Sequence, residues 1–129
     1  MKAKIYLTRL ALMAVFLVAC KSQQQVSLCE RVTQPREMPW LYSIVEEGVS
    51  PLGLQLVKID KILYTIDESN TTNTGFEIQY EAKCCDMPND YIYDCDGEVI
   101  TEYGGFAGCS GECDIKILSR ECIYENNPL

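Results

Sequence analysis

Apolar residues are spaced in three different ways along this chain. From Leu10 to Ala19 they run unbroken for ten positions. Between Pro39 and Gly48 they fall at helical spacing, with Trp40, Leu41, Ile44 and Val45 on one face and Glu46 and Glu47 outside it. From Gly75 to Cys85 they alternate: Phe76, Ile78, Tyr80, Ala82 and Cys84 on one side, Glu77, Gln79, Glu81, Lys83 and Cys85 on the other. A period of two is the signature of a strand with one buried and one wet face.

The second stretch predicts a helix opened by Pro39 at its first position and closed by Gly48. Trp40, the only tryptophan, is expected in the core. Pro51 and Gly53 connect onward to strands at Leu54–Val57 and Ile62–Ile66, where the apolar phase breaks across Lys58–Lys61. The polar run Asp67 to Thr74 then reads as a turn, pairing Ile62–Ile66 with Phe76–Lys83 as a hairpin. Farther on, Tyr91-Ile92-Tyr93 and Glu98 to Tyr103 flank Asp96-Gly97, a hairpin signal because glycine accepts the positive φ of such turns. The expected fold is therefore α+β: one N-terminal helix packed on a small antiparallel sheet, a meander of hairpins stabilised by disulfides.

The unbroken run has a different meaning. Lys2, Lys4 and Arg9 precede it, and its length fits the core of a signal peptide of about 7–15 residues rather than the ~20 of a membrane span. It ends in Leu17-Val18-Ala19-Cys20, which resembles the lipobox of bacterial lipoproteins. That resemblance implies cleavage before Cys20 and attachment of lipid to its thiol. The competing readings are an ordinary cleaved signal with an incidental Cys20, or an uncleaved anchor helix. Two or three acyl chains, as such lipoproteins carry, hold far more firmly than the reversible grip of one. Residues 1–19 are thus read as lipoprotein signal, 20–28 as lipidated cysteine and polar tether, and 29–129 as a single domain. No aspartate follows Cys20, which favours the outer membrane, and no acidic tract follows it, which favours the periplasmic face over the surface.

Removing residues 1–19 sharpens the charge. Three of the 11 basic residues leave with the signal and all 19 acidic ones stay, so the mature chain carries a net −11. So acidic a surface repels nucleic-acid phosphate and anionic headgroups. No nucleic-acid partner is expected; the expected partners are the membrane, through the lipid anchor, and another envelope protein.

Seven cysteines remain for the domain: Cys29, Cys84, Cys85, Cys95, Cys109, Cys113 and Cys122. Export delivers them to an oxidising compartment, where disulfides persist. Seven is odd, so one thiol is left over or pairs outside the domain. Cys84 and Cys85, adjacent in a strand, point to opposite faces and are expected to serve two different bridges. The expected pairing joins Cys29 and Cys113 to that pair, with Cys95 to Cys109. Cys109-x-x-x-Cys113 has tolerable zinc spacing, but the chain lacks histidine and any CxxC pair, so no metal or other cofactor is expected.

Other chemistry is weak. Asp94-x-Asp96-Gly97 matches the middle of a calcium loop, but Ile92 and Tyr103 stand where that loop needs oxygen ligands. Without histidine there is no Ser-His-Asp or Cys-His site. Asp86, Asp90, Asp94, Asp96 and Glu98 cluster in sequence as carboxylates do in glycoside hydrolases, though such clusters are more often solvated turns. A redox role for Cys84-Cys85 lacks the two intervening residues of a reversible dithiol. An enzyme is not expected.

Cys84-Cys85-Asp86, Tyr93-Asp94-x-x-Gly97, Gly104-Gly105-x-x-Gly108 and Cys113 together resemble the signature of a family of small bacterial lipoproteins carrying a domain of unknown function. The resemblance covers roughly Cys29 to Asp114. The chain departs from it at Thr101, where the family often has cysteine, and at Ala107, where it often has threonine. Cys95, Cys109 and Cys122 look like additions. The resemblance implies an envelope address and a disulfide core, and no mechanism. The function expected is that of a lipid-anchored envelope protein that binds another protein or serves as a structural accessory; the alternative is an inhibitor-like acidic binder of a cationic enzyme.

Overall fold

The computed structural model describes residues 28–82, 88–104 and 108–127. The signal, Cys20, most of the tether, and the Cys84-Cys85 pair with Asp86 lie outside the described residues. The order of elements is a helical turn at 28–31, a 3-10 turn at Pro35–Glu37, helix α1 at Pro39–Glu47, and six strands. These are β1 Leu56–Ile66, β2 Asn73–Tyr80, β3 Asp90–Tyr93, β4 Val99–Tyr103, β5 Cys109–Gly111 and β6 Ile115–Glu125. All strands join one sheet in the order β5-β4-β3-β2-β1-β6, with every pairing antiparallel. The expected meander of hairpins is present from β1 to β5. The sheet is larger than expected and dominates the molecule, so α1 is a minor element beside it. No helix among the described residues is long and apolar enough to cross a membrane.

Helix α1 has the predicted ends. Pro39 stands at its start, and Gly48 takes φ 66° and donates its N–H to the Ile44 carbonyl at 3.0 Å, a left-handed cap that suits glycine. Leu41 is fully buried, and Trp40, Ile44 and Val45 pack around it. Trp40 is half-buried rather than central. Its ring stacks on Tyr93 with centroids 5.5 Å apart and meets the Phe76 edge at 5.6 Å, and its N–H reaches the Cys95 carbonyl at 3.3 Å.

The break at Lys58–Lys61 proves not to interrupt a strand. β1 runs through it, with a register shift against β2 between Leu56 and Lys58. A bulge adds one residue and so restores phase, which is why Leu56 and Ile59, three apart, both enter the helix-side core. β2 starts earlier than expected and stops at Tyr80. Phe76, Ile78 and Tyr80 are buried as read, but Ala82 is exposed and Glu77, assigned to the wet face, is buried.

Glu77 is buried because the second side of the sheet is covered too. β5 and β6 lie at opposite edges, five strand spacings or about 24 Å apart if the sheet were flat. The chain from Gly111 to Ile115 reaches only about 14 Å. The sheet must therefore roll until its edges approach. Two hydrogen bonds mark the crossing: Glu112 N–H still donates to Ile100 of β4, and two residues later the Asp114 carbonyl accepts from Asp67 at the end of β1, both at 2.9 Å. Inside the roll Ile62, Tyr64 and Ile92 are buried, with the half-buried Ile100 and Tyr103 of β4 and Ile115 and Ile117 of β6 packed against them.

Candidate functional site

The interior of the roll changes character along its length. At the crossing it is apolar. At the far end, where β1 and β2 begin and finish, the inward positions include Lys58, Asp60, Glu77, Gln79, Asp90 and Arg120, with Tyr103 opposite Asp90 and Cys122 opposite Asp60. Register brings them together: Asp60 stands opposite Glu77 on β2 and Cys122 on β6, Lys58 opposite Gln79, and Gln79 opposite Asp90 on β3.

Arg120 reaches across from β6 to Glu77, its Nε donating to Oε1 at 3.1 Å and its Nη2 to Oε2 at 3.3 Å. Gln79 donates to the same Oε1 at 2.9 Å. Lys58 holds Asp60 through Oδ2 at 3.2 Å, an ion pair that raises the lysine above its ordinary pKa. The other oxygen of Asp60, Oδ1, is buried and has no hydrogen-bond partner among the described residues. Burial raises the Asp90 carboxyl, and the Glu77 charge adds to the shift while Arg120 opposes it. Three carboxylates thus share two cations in the mouth of the roll. A buried acceptor that finds no donor is a costly arrangement, so this corner of the mouth is not built for stability alone.

A second feature adjoins this mouth on the outer side of the sheet. The bulge at Ile123 turns β6 so that Tyr124 faces α1 while Cys122 faces inward with Asp60. Between α1 and β6 lies an open, mostly apolar groove of about 390 Å³, walled by Pro35, Arg36, Tyr42, Val45, Ile123 and Tyr124. Tyr42 is 42% exposed there.

The cysteines pair differently from expectation. Cys29 bonds Cys95, 66 residues away, and Cys109 bonds Cys113. The expected bridges from Cys29 and Cys113 to Cys84 and Cys85, and from Cys95 to Cys109, are therefore corrected. The physical reason is the short helical turn at 28–31, which lays buried Cys29 beside the β3–β4 turn, while the crossing folds Cys113 back beside Cys109. That last bridge closes a loop between cysteines only four positions apart. Cys122 is an exposed free thiol. Among the described residues no three His, Cys, Asp or Glu side chains assemble as a metal site.

The sequence cluster of carboxylates is split. Asp90 lines the mouth, whereas Asp94, Asp96 and Glu98 form the turn at the opposite end and Asp86 lies outside the described residues. Asp94 Oδ1 accepts the N–H groups of Asp96 at 2.9 Å and Glu98 at 3.0 Å, so its oxygen is spent on the turn. Gly97 there has φ 85°, and a Cβ would stand 2.9 Å from the Trp40 ring. Reading the sequence missed Asp60, Glu77 and Arg120, which meet only because β6 returns to the far side of β1. The signal available was Lys58 and Asp60 sharing a parity in a strand between apolar neighbours.

The chain matches no protein-family model, no curated protein and no solved structure.

Proposed function

We propose that this chain is a lipid-anchored protein-binding module of the bacterial cell envelope, attached through Cys20, whose partner is another envelope protein docking in the groove between α1 and β6. The groove carries the reading. Exposed tyrosine, arginine and branched aliphatic side chains on a rigid, disulfide-tied frame are the residue types that concentrate binding energy at interfaces. The signal and lipobox supply the address, and the resemblance to small lipoproteins agrees with it. Outer-membrane residence on the periplasmic face is the location proposed.

An apolar groove implies an affinity that changes little with salt, because hydrophobic burial is not screened. The whole mature protein, immobilised with its disulfides intact, should retain an envelope protein at low and high salt alike. Tyr42→Ala should lose that protein without loss of fold. A second reading, an inhibitor-like binder of a cationic enzyme, draws on the net charge of −11. Release of the captured protein by salt, with inhibition of its activity, would establish that reading in place of the first.

A further inference from the structure

We propose that the mouth of the rolled sheet is a receptor for a basic side chain, lysine or arginine, presented by the protein partner that lies in the neighbouring groove. The inference rests on the protein-binding reading and adds to it the chemistry of one contact.

Three observations carry it. First, Asp60 is 1% exposed, yet its Oδ1 has no hydrogen-bond partner among the described residues, so the mouth holds an acceptor that they leave without a donor. Second, the charge is unbalanced in one direction. Among the described residues the cations facing Asp60, Glu77 and Asp90 are Lys58 and Arg120, and Glu125, opposite Lys58 across β1 and β6, adds a further carboxylate at the rim. An incoming ammonium or guanidinium restores both the missing donor and the missing positive charge; an anion would restore neither. Third, the covers of Asp60 are able to move. The Lys58 side chain is 33% exposed and that of Arg120 52%, both long and flexible, whereas Asp60 and Glu77 are fixed by the sheet beneath. Entry therefore needs only these side chains to shift aside, the incoming cation taking the unpartnered Oδ1 of Asp60 while Lys58 keeps Oδ2.

The groove and the mouth meet at one strand. Tyr124 faces the groove opposite Ile59, and Cys122 faces the mouth opposite Asp60, with only the bulged Ile123 between them. A chain lying along the groove thus runs beside the strand whose other side forms the mouth, and a long side chain turned over that strand is what the proposal requires. A buried or half-buried ion pair is screened far less than a surface one, so such a contact agrees with salt-insensitive capture.

The probe is Nα-acetyl-lysine methylamide, with Nα-acetyl-norleucine methylamide as its uncharged counterpart, titrated into the isotope-labelled mature protein while the carboxyl carbons of Asp60 and Glu77 are observed by NMR. The lysine compound should shift both saturably and the norleucine compound should not. Asp60→Asn should abolish the response, and Lys58→Gln, which removes a competing cation from an exposed position, should tighten binding several-fold. Equal shifts with the norleucine compound, shifts reproduced by sodium chloride at matched ionic strength, no saturable shift, or weaker binding by Lys58→Gln would overturn the proposal. Tyr42→Ala separates the two ideas, since it should abolish partner capture and leave the lysine response unchanged. Lost lysine response with intact capture sinks only this inference, and the converse sinks only the groove.

Discussion

The two sides of the sheet are built on opposite principles. The side under α1 is dry: Phe76, Ile78, Ile59, Leu41 and Met38 fill it, and the buried Cys29 is tied to Cys95 across 66 residues. The inside of the roll is apolar only at one end and ends in three carboxylates and two cations. Its closure lies in a local loop, where Cys109 and Cys113 are four residues apart and Cys113 is exposed. One side has the close-packed chemistry that stability requires, and the other retains buried charge, which stability alone does not favour.

The disulfides test this contrast most strongly. On chain-entropy grounds, removing the Cys29–Cys95 bridge by a double Cys→Ser change should cost about 4 kcal/mol, and removing Cys109–Cys113 about 2 kcal/mol. Urea unfolding of both variants measures the gap; equal losses would mean that the crossing stabilises the fold as much as the core bridge does. Next comes the packing between β2 and the roll. A Cβ at Gly75 would stand 2.5 Å from the Tyr93 carbonyl and 2.8 Å from the Tyr64 ring, so Gly75→Ala should cost about 1–3 kcal/mol. Thermal unfolding followed by tyrosine absorbance checks it.

The mouth should respond more mildly. Arg120→Gln leaves buried Glu77 with Gln79 as its remaining partner. Because the guanidinium is half exposed and screened, the loss should be about 1–2 kcal/mol, below that of a fully buried pair. Asp90 gives the smallest effect, with the opposite sign. Its folded pKa lies above the ordinary carboxyl value, so the native state holds that proton more tightly than the unfolded one. Stability therefore falls as pH rises through the window between the two values. Asp90→Asn should slightly stabilise the protein at neutral pH and make no difference below the carboxyl range. Denaturation midpoints across pH reveal it, and a variant less stable at neutral pH would show that the charge is needed there.

Much of the helix side was legible in the sequence because its signals are local. Pro39 and Gly48 bound α1, and Asp96-Gly97 marks the β3–β4 turn. The roll was not legible. β6 contains Ile115-Lys116-Ile117 and Ile123-Tyr124, but register shifts near Leu118 and Ile123 break the period of two, so no run of alternation announces a strand. The same effect made the bulge in β1 look like an interruption. Glu77 was read as solvent-facing because alternation reports that two sides differ, not that either is wet. The cysteine count indicated a disulfide core, while pairing depended on the short turn that seats Cys29 and on the crossing that returns Cys113.

Docking of a partner beside β6 is open to direct measurement in cells. A photo-crosslinking amino acid is placed at Tyr42, at Ile123 and at Val99, which is exposed on β4 away from the groove. Irradiation of living cells carrying each variant should join one and the same envelope protein to the first two positions and nothing to Val99. No adduct at Tyr42 and Ile123, or the same adducts at all three positions, would contradict it.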